Sequence, residues 1–185
     1  LHAVLNRFNS DEVMQKRMGF AKSLTKEDTF TQKKEELKEK FGIWTKKTID
    51  KLTIEDKKAI AKFRAQIEPI IYEFEIIGYF KDRGIYSLSD IYQLFSFELQ
   101  RYWLLIEEIG YFKYLRTNKA NGEKDLYLEF EKLYENCIGF EIFKYDHQID
   151  LSSKKAKELI KKKKGSLELF FYQESLLLNS KKGIE

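Results

Sequence analysis

Five residues on one stretch of the chain offer the best prospect of chemistry: Glu75, Arg101, Tyr102, Trp103 and Glu107. Glu75 follows Phe74 in a largely apolar run, and Arg101 precedes Tyr102-Trp103 in another. If the two runs are helices folded back on each other about Tyr86, Glu75 comes within a helical turn of Arg101. Two readings follow. One is a desolvated ion pair that fixes helix register, a role that says little about stability. The other is a ligand pocket with these five side chains in its wall. The ion pair is the favoured reading.

Other reactive groups are sparse. The two histidines, His2 and His147, are far apart and lack metal-ligand spacing, whereas a zinc site needs three or four ligands. Asp146 beside His147 does not make a triad. Cys137, the one cysteine, sits in an apolar run and reads as a small core residue. It can form no intrachain disulfide, which suits a reducing compartment. The segment Gly78-Tyr79-Phe80-Lys81-Asp82-Arg83-Gly84 lacks the strand and the Lys-Ser/Thr of a phosphate loop. A similar Gly110-Tyr111-Phe112-Lys113 reads as chance and shared helix packing. Arg64, Arg83, Arg101 and Arg116 could hold phosphates beside stacking rings, but aromatics at three-four spacing are core first. No catalytic residue, metal or cofactor is expected.

The elements that would position these residues are helices. Ile60, Phe63, Ile67, Ile70, Ile71, Phe74, Ile77 and Phe80 recur by threes and fours, giving one apolar stripe. Thr53-Ile54-Glu55-Asp56 reads as its cap with acids in the first turn, and Gly84 as its C-terminal stop. Pro69 predicts a kink near residues 66–68, and Gly78 a close neighbouring helix. Ser87 or Ser89 caps a second helix carrying Ile91, Leu94, Phe95, Tyr102, Trp103, Ile106, Ile109 and Tyr114. The expected architecture is all-α, an irregular helical bundle around a long antiparallel helical hairpin, about 54–84 and 88–116. Upstream, Val13, Met14, Arg17, Phe20, Ala21 and Leu24 share helical spacing. A charged helix over 32–41 is expected to end at Gly42, with Ile43 and Trp44 folding back as an anchor. Downstream, 118–122 reads as a loop, 125–138 as a helix and 139–150 as irregular. Ser152 or Ser153 caps a lysine-rich helix to Lys164, and 166–178 is a last apolar helix.

The chain has 185 residues, 43% hydrophobic and 15% aromatic, ample for a packed core. Its net charge of +4 arises from 34 basic and 30 acidic residues interleaved along helical faces. That describes a solvated surface rather than a dedicated nucleic-acid face. No apolar run reaches the roughly 18 residues needed to span a bilayer. A helical core domain is expected over 1–138, with a C-terminal helical appendage over 139–185. The appendage packs on the core or on a second subunit in preference to lying on an anionic membrane.

The pattern Phe8-Asn9-Ser10-x-Glu12 with Arg17, then Phe74-Glu75-x-x-Gly78, Gly84, Leu94-Phe95, Tyr102-Trp103 and Arg116, resembles a bacterial family of unknown function. Its members join a membrane helix to a short all-helical cytoplasmic domain. The resemblance spans about residues 1–135; the lysine-rich 26–58 and the segment after Gly139 depart from it. It implies a tether upstream of Leu1 and a place at the inner face of the membrane, and supplies no catalytic residues. The leading expectation is a non-enzymatic helical interaction or sensor domain that self-associates as a homo-oligomer. The alternative is a binder of an anionic ligand, a nucleotide signal or nucleic acid, acting as an effector in anti-phage defence. An enzyme working through Glu75, Glu107 or His147 ranks last.

Overall fold

A computed structural model of the chain describes residues 2–26, 29–117, 126–146 and 149–176. Among them are nine α-helices and no strand: α1 (His2–Phe8), α2 (Asp11–Thr25), α3 (Phe30–Thr45), α4 (Ile54–Asp82), α5 (Leu88–Glu108), α6 (Tyr111–Thr117), α7 (Leu128–Phe143), α8 (Lys154–Lys164) and α9 (Leu167–Ser175). The fold is all-α. His147, the expected loop at 118–122 and the tail beyond Leu176 lie outside the described residues.

Local chemistry sets several of the helix ends. Thr53 Oγ1 accepts the Asp56 N–H at 3.0 Å while the Asp56 carboxylate accepts the Thr53 N–H at 3.2 Å, a reciprocal cap on α4. At its far end Gly84 adopts φ +69°. The Ile85 N–H then reaches the Phe80 carbonyl and the Gly84 N–H that of Lys81, closing a Schellman motif. Ser87 caps α5 through the Asp90 N–H, and Ser153 caps α8 through the Ala156 N–H.

Three boundaries differ from expectation. The second long helix stops at Glu108 instead of running to 116, because Gly110 turns left-handed at φ +80° and α6 starts afresh. Gly42 does not end α3, which continues to Thr45 and carries Trp44 as part of the helix. Phe41 and Trp44, one turn apart, are both buried and in edge contact at 5.0 Å, an anchor that outweighs the roughly 1 kcal/mol cost of a helical glycine. Likewise α7 continues through Gly139 to Phe143, where irregular chain was expected. Phe140, on that extra turn, packs its ring at a tilt against Tyr92, centroids 4.8 Å apart.

The chain divides into two units, each built from three separate stretches. The first takes residues 1–10, 71–105 and 127–167; the second takes 11–70, 106–126 and 168–185. The segment from 139 onward is therefore shared between them. In the first unit Phe74 is the hub of an aromatic core: Phe8, Tyr102 and Phe130 ring it at 5.2, 6.2 and 5.1 Å. Trp103 extends it, meeting Phe130 edge-on and stacking on Tyr134. In the second unit Phe41 and Phe63 do the same work with Tyr111, and Phe171 of α9 meets Phe20 and Phe30. A bidentate ion pair lies inside this second unit. Arg17 donates to Glu174 at 2.9 and 2.7 Å, and both side chains are almost wholly buried.

Candidate functional site

Helix α4 has two working faces in the first unit. Ile71, Phe74 and Ile77 point into the core. Tyr72, Glu73, Ile76, Tyr79 and Phe80 line a cavity of about 550 Å³, which α1 flanks with Ala3, Val4 and Arg7. That volume suits a small organic ligand. Glu129, at the start of α7, and Glu75 complete the wall.

The charged groups of this cavity are not equivalent. Glu73 is 2% exposed, and its Oε1 accepts the Arg7 Nε–H at 2.7 Å. Its Oε2 is buried with no hydrogen-bond partner. Burial raises the Glu73 pKa, against the pull of the Arg7 charge. Arg7 itself is half in solvent and also lies 5.9 Å over the Tyr72 ring. Glu75 is tied down by the backbone: its Oε2 accepts the Phe130 N–H at 2.7 Å, and the Glu129 N–H also bonds to it. It thereby caps α7, whose own N-cap residue, Tyr127, is left-handed at φ +62° and makes no side-chain cap bond. Burial raises the Glu75 pKa too, opposed by those two N–H groups. Glu129 pairs through Oε1 with Lys132 at 2.7 Å, leaving Oε2 buried and without a hydrogen-bond partner.

Gly78 lets the two helices meet this closely. A Cβ there would fall 2.5 Å from the Glu129 carbonyl oxygen, so only glycine fits without a shift.

The five residues singled out from the sequence do not form one cluster. Glu75 lies in the cavity wall and caps α7 instead of pairing with Arg101. The Arg101 guanidinium lies 3.5 Å over the Phe97 ring and donates to the Phe97 carbonyl at 3.0 Å. Its pKa is lowered by burial, against the charges of Glu141 and Glu98. Tyr102 and Trp103 belong to the aromatic core, at 0% and 4% exposed. Glu107 is exposed and belongs to the second unit. The four arginines considered for phosphate binding are likewise divided, Arg83 and Arg101 in the first unit and Arg64 and Arg116 in the second. Arg64 donates to Glu68, while Arg83 and Arg116 lie over Tyr79 and Phe112.

Sequence reasoning missed Glu73, Arg7 and Glu129. A signal for Glu73 was present, since an acid between Tyr72 and Phe74 sits on the edge of an apolar stripe. Arg7 carried none.

The second unit has its own cavity, of about 290 Å³, with Lys33, Lys40, Lys62 and Glu36 among its lining. Cys137 is fully buried, and burial pushes its thiol up to about 12. Among the described residues no group of three His, Cys, Asp or Glu side chains could hold a metal. Among them, too, no helix is long and apolar enough to cross a membrane. Comparison with the profiles of known protein families, with curated proteins and with solved structures finds no match to this chain.

Proposed function

We propose that this chain is a non-enzymatic helical sensor domain whose first unit receives a small ligand in the cavity beside α4. The observation that carries the reading is the cavity itself, about 550 Å³ walled by apolar side chains and by carboxylates already committed to structure. Glu75 is occupied by two main-chain N–H groups and Glu73 by Arg7, which leaves neither arranged as a free acid and base pair. Among the described residues, no Ser, Thr, Cys, His or Lys lines this cavity.

Thermal-shift screening of the purified chain against a metabolite library tests the reading. Binders of this site raise Tm by mass action, and they lose their effect in Ile76→Trp, which fills the space between α1 and α4. Finding no binder, or only binders indifferent to Ile76→Trp, overturns it.

Self-association and a membrane tether belong to the same proposal. Leu169, Tyr172 and Leu176 form an exposed apolar stripe at three-four spacing along and just past α9, a surface suited to a second copy. Light scattering tests this: a strict monomer at high concentration removes the homo-oligomer. The tether rests on the family resemblance.

A second reading, binding of an anion, finds support in the lysines around the smaller cavity of the second unit. Lys33 there is already paired with Glu36 at 2.9 Å. Titration with cyclic and linear nucleotides and with RNA tests it, and salt-independent or absent binding rejects it.

A further inference from the structure

We propose that the outward face of α8 binds the phosphate backbone of duplex DNA, with little regard to base sequence. This surface is separate from both cavities and stands whether or not they hold ligands.

The face is defined by where its lysines fall. α8 holds seven lysines and a single acid, Glu158, in eleven residues. That local excess is larger than the +4 of the whole chain. Ala156 is fully buried, and Lys163 turns inward to Glu141 at 2.7 Å, which fixes the rotation of the helix. The other six lysines are exposed. They fall in pairs spaced by two helical turns: Lys154 with Lys161, Lys155 with Lys162, Lys157 with Lys164. Each pair makes a row about 10 Å long. At about 100° per residue, Lys154 and Lys161 run along the crest, roughly opposite Ala156, and the other two rows run down the flanks on either side.

The stability of the helix does not call for this arrangement. A helix dipole favours acids in the first turn, yet α8 has none there and carries Lys154, Lys155 and Lys157 instead. Lys157 and Lys161, at i,i+4 spacing, repel each other. Compensation within the chain is slight. Glu158 reaches Lys154 only at 4.0 Å, and Lys157 lies within electrostatic reach of Asp150. A polyanion laid on the face relieves the repulsion.

The shape of the surface selects the partner. A helix is about 10–12 Å across, and the major groove of B-DNA is about 12 Å wide between two walls of phosphate. The flank rows face both walls at once. A flat bilayer meets mainly the crest, where Glu158 lies beside the two lysines, and that face carries no apolar side chain to insert. The deep, narrow major groove of duplex RNA does not admit a helix so readily. Lysine holds phosphate as a point charge, and the face has no Arg, Asn or Gln to read base edges.

Fluorescence anisotropy of a labelled DNA duplex of about 20 base pairs, titrated with the purified chain, tests the proposal. The expected Kd is on the order of 10⁻⁶–10⁻⁴ M near physiological salt, and a plot of log K against log salt should fall with a slope of about −4 to −5. Replacing Lys155, Lys157, Lys162 and Lys164 together by Gln should flatten that slope by about 3–4 and weaken binding about ten-fold or more. Replacing Lys46, Lys51, Lys57 and Lys58 by Gln removes equal charge from exposed positions elsewhere and should change binding little. Absent or salt-independent binding overturns the proposal, as does a flank variant that binds like wild type or a control that loses as much. Tighter binding to duplex RNA, or to vesicles containing phosphatidylserine, overturns it in favour of that partner. The wild-type slope decides the matter even if a variant does not fold.

Discussion

Neutralising one end of the Arg17–Glu174 pair should unfold the second unit far more easily than any surface change. The two side chains are 4% and 6% exposed and joined by bonds of 2.9 and 2.7 Å, so solvent screens them little. Glu174→Gln or Arg17→Met leaves the other partner charged in a dry interior, at a cost of about 3–5 kcal/mol. In a chain of this length each kcal/mol moves Tm by about 2–4 °C, so either single substitution should lower it by about 6–20 °C. Replacing both, as Arg17→Met with Glu174→Leu, removes the stranded charge and refills the volume, and should restore most of the loss. Urea denaturation followed by circular dichroism on all four proteins closes the double-mutant cycle. Single costs below about 1 kcal/mol, or a double variant that loses the sum of the two, would refute the reasoning.

Four further outcomes are expected. Gly78→Ala should destabilise by about 1–3 kcal/mol through overpacking against the Glu129 carbonyl. Gly42→Ala, where a Cβ meets nothing within 4 Å, should instead stabilise by up to about 1 kcal/mol, and urea midpoints separate the two. Asp56 is held at about 2, below its ordinary 3.8, first by the Trp44 indole N–H and then by Lys47. A depressed carboxylate stabilises above its unfolded value, and that contribution fades as pH falls through the folded one. The urea-midpoint gap between wild type and Asp56→Asn should therefore be full at pH above 3.8 and close near pH 2. Cys137, with its thiol raised to about 12, should resist iodoacetamide in the native protein at mildly alkaline pH and react fully in urea; native labelling would mean the first-unit core opens readily.

How much of this was legible follows the range of the forces involved. The caps at Thr53, Ser87 and Ser153 depend on side chains three residues from the N–H they bond, and the stop at Gly84 on the one residue type free to turn left-handed, so local sequence contains them. Gly42 and Gly139 read as breaks because glycine propensity is local, while the packing of Phe41, Trp44 and Phe140 that overrides it is not. The two Gly-Tyr-Phe-Lys segments make the same point. The first lies inside α4, where Gly78 makes room for α7; the second begins with a left-handed Gly110 that separates two helices. Identical letters take opposite roles because their neighbours in space differ. Arg17 stands on an otherwise apolar face of α2, but nothing local points to Glu174 as its partner. Glu75 was found and given the wrong partner for the same reason, since its true one is the backbone of a helix 55 residues away.

Ribosomal synthesis adds a consequence of the interleaved chain path. Arg17 meets a partner 157 residues downstream, which at about 5–20 residues per second emerges about 8–30 s later. Until then α2 must leave that guanidinium hydrated, so its apolar face stays open and attractive to chaperones or to a neighbouring nascent chain. Because each unit draws on three stretches, no single cut of the polypeptide releases either of them whole. Nicking with a protease would strand pieces of both at once, and only loss near the last helix would leave the first unit's share of the chain intact.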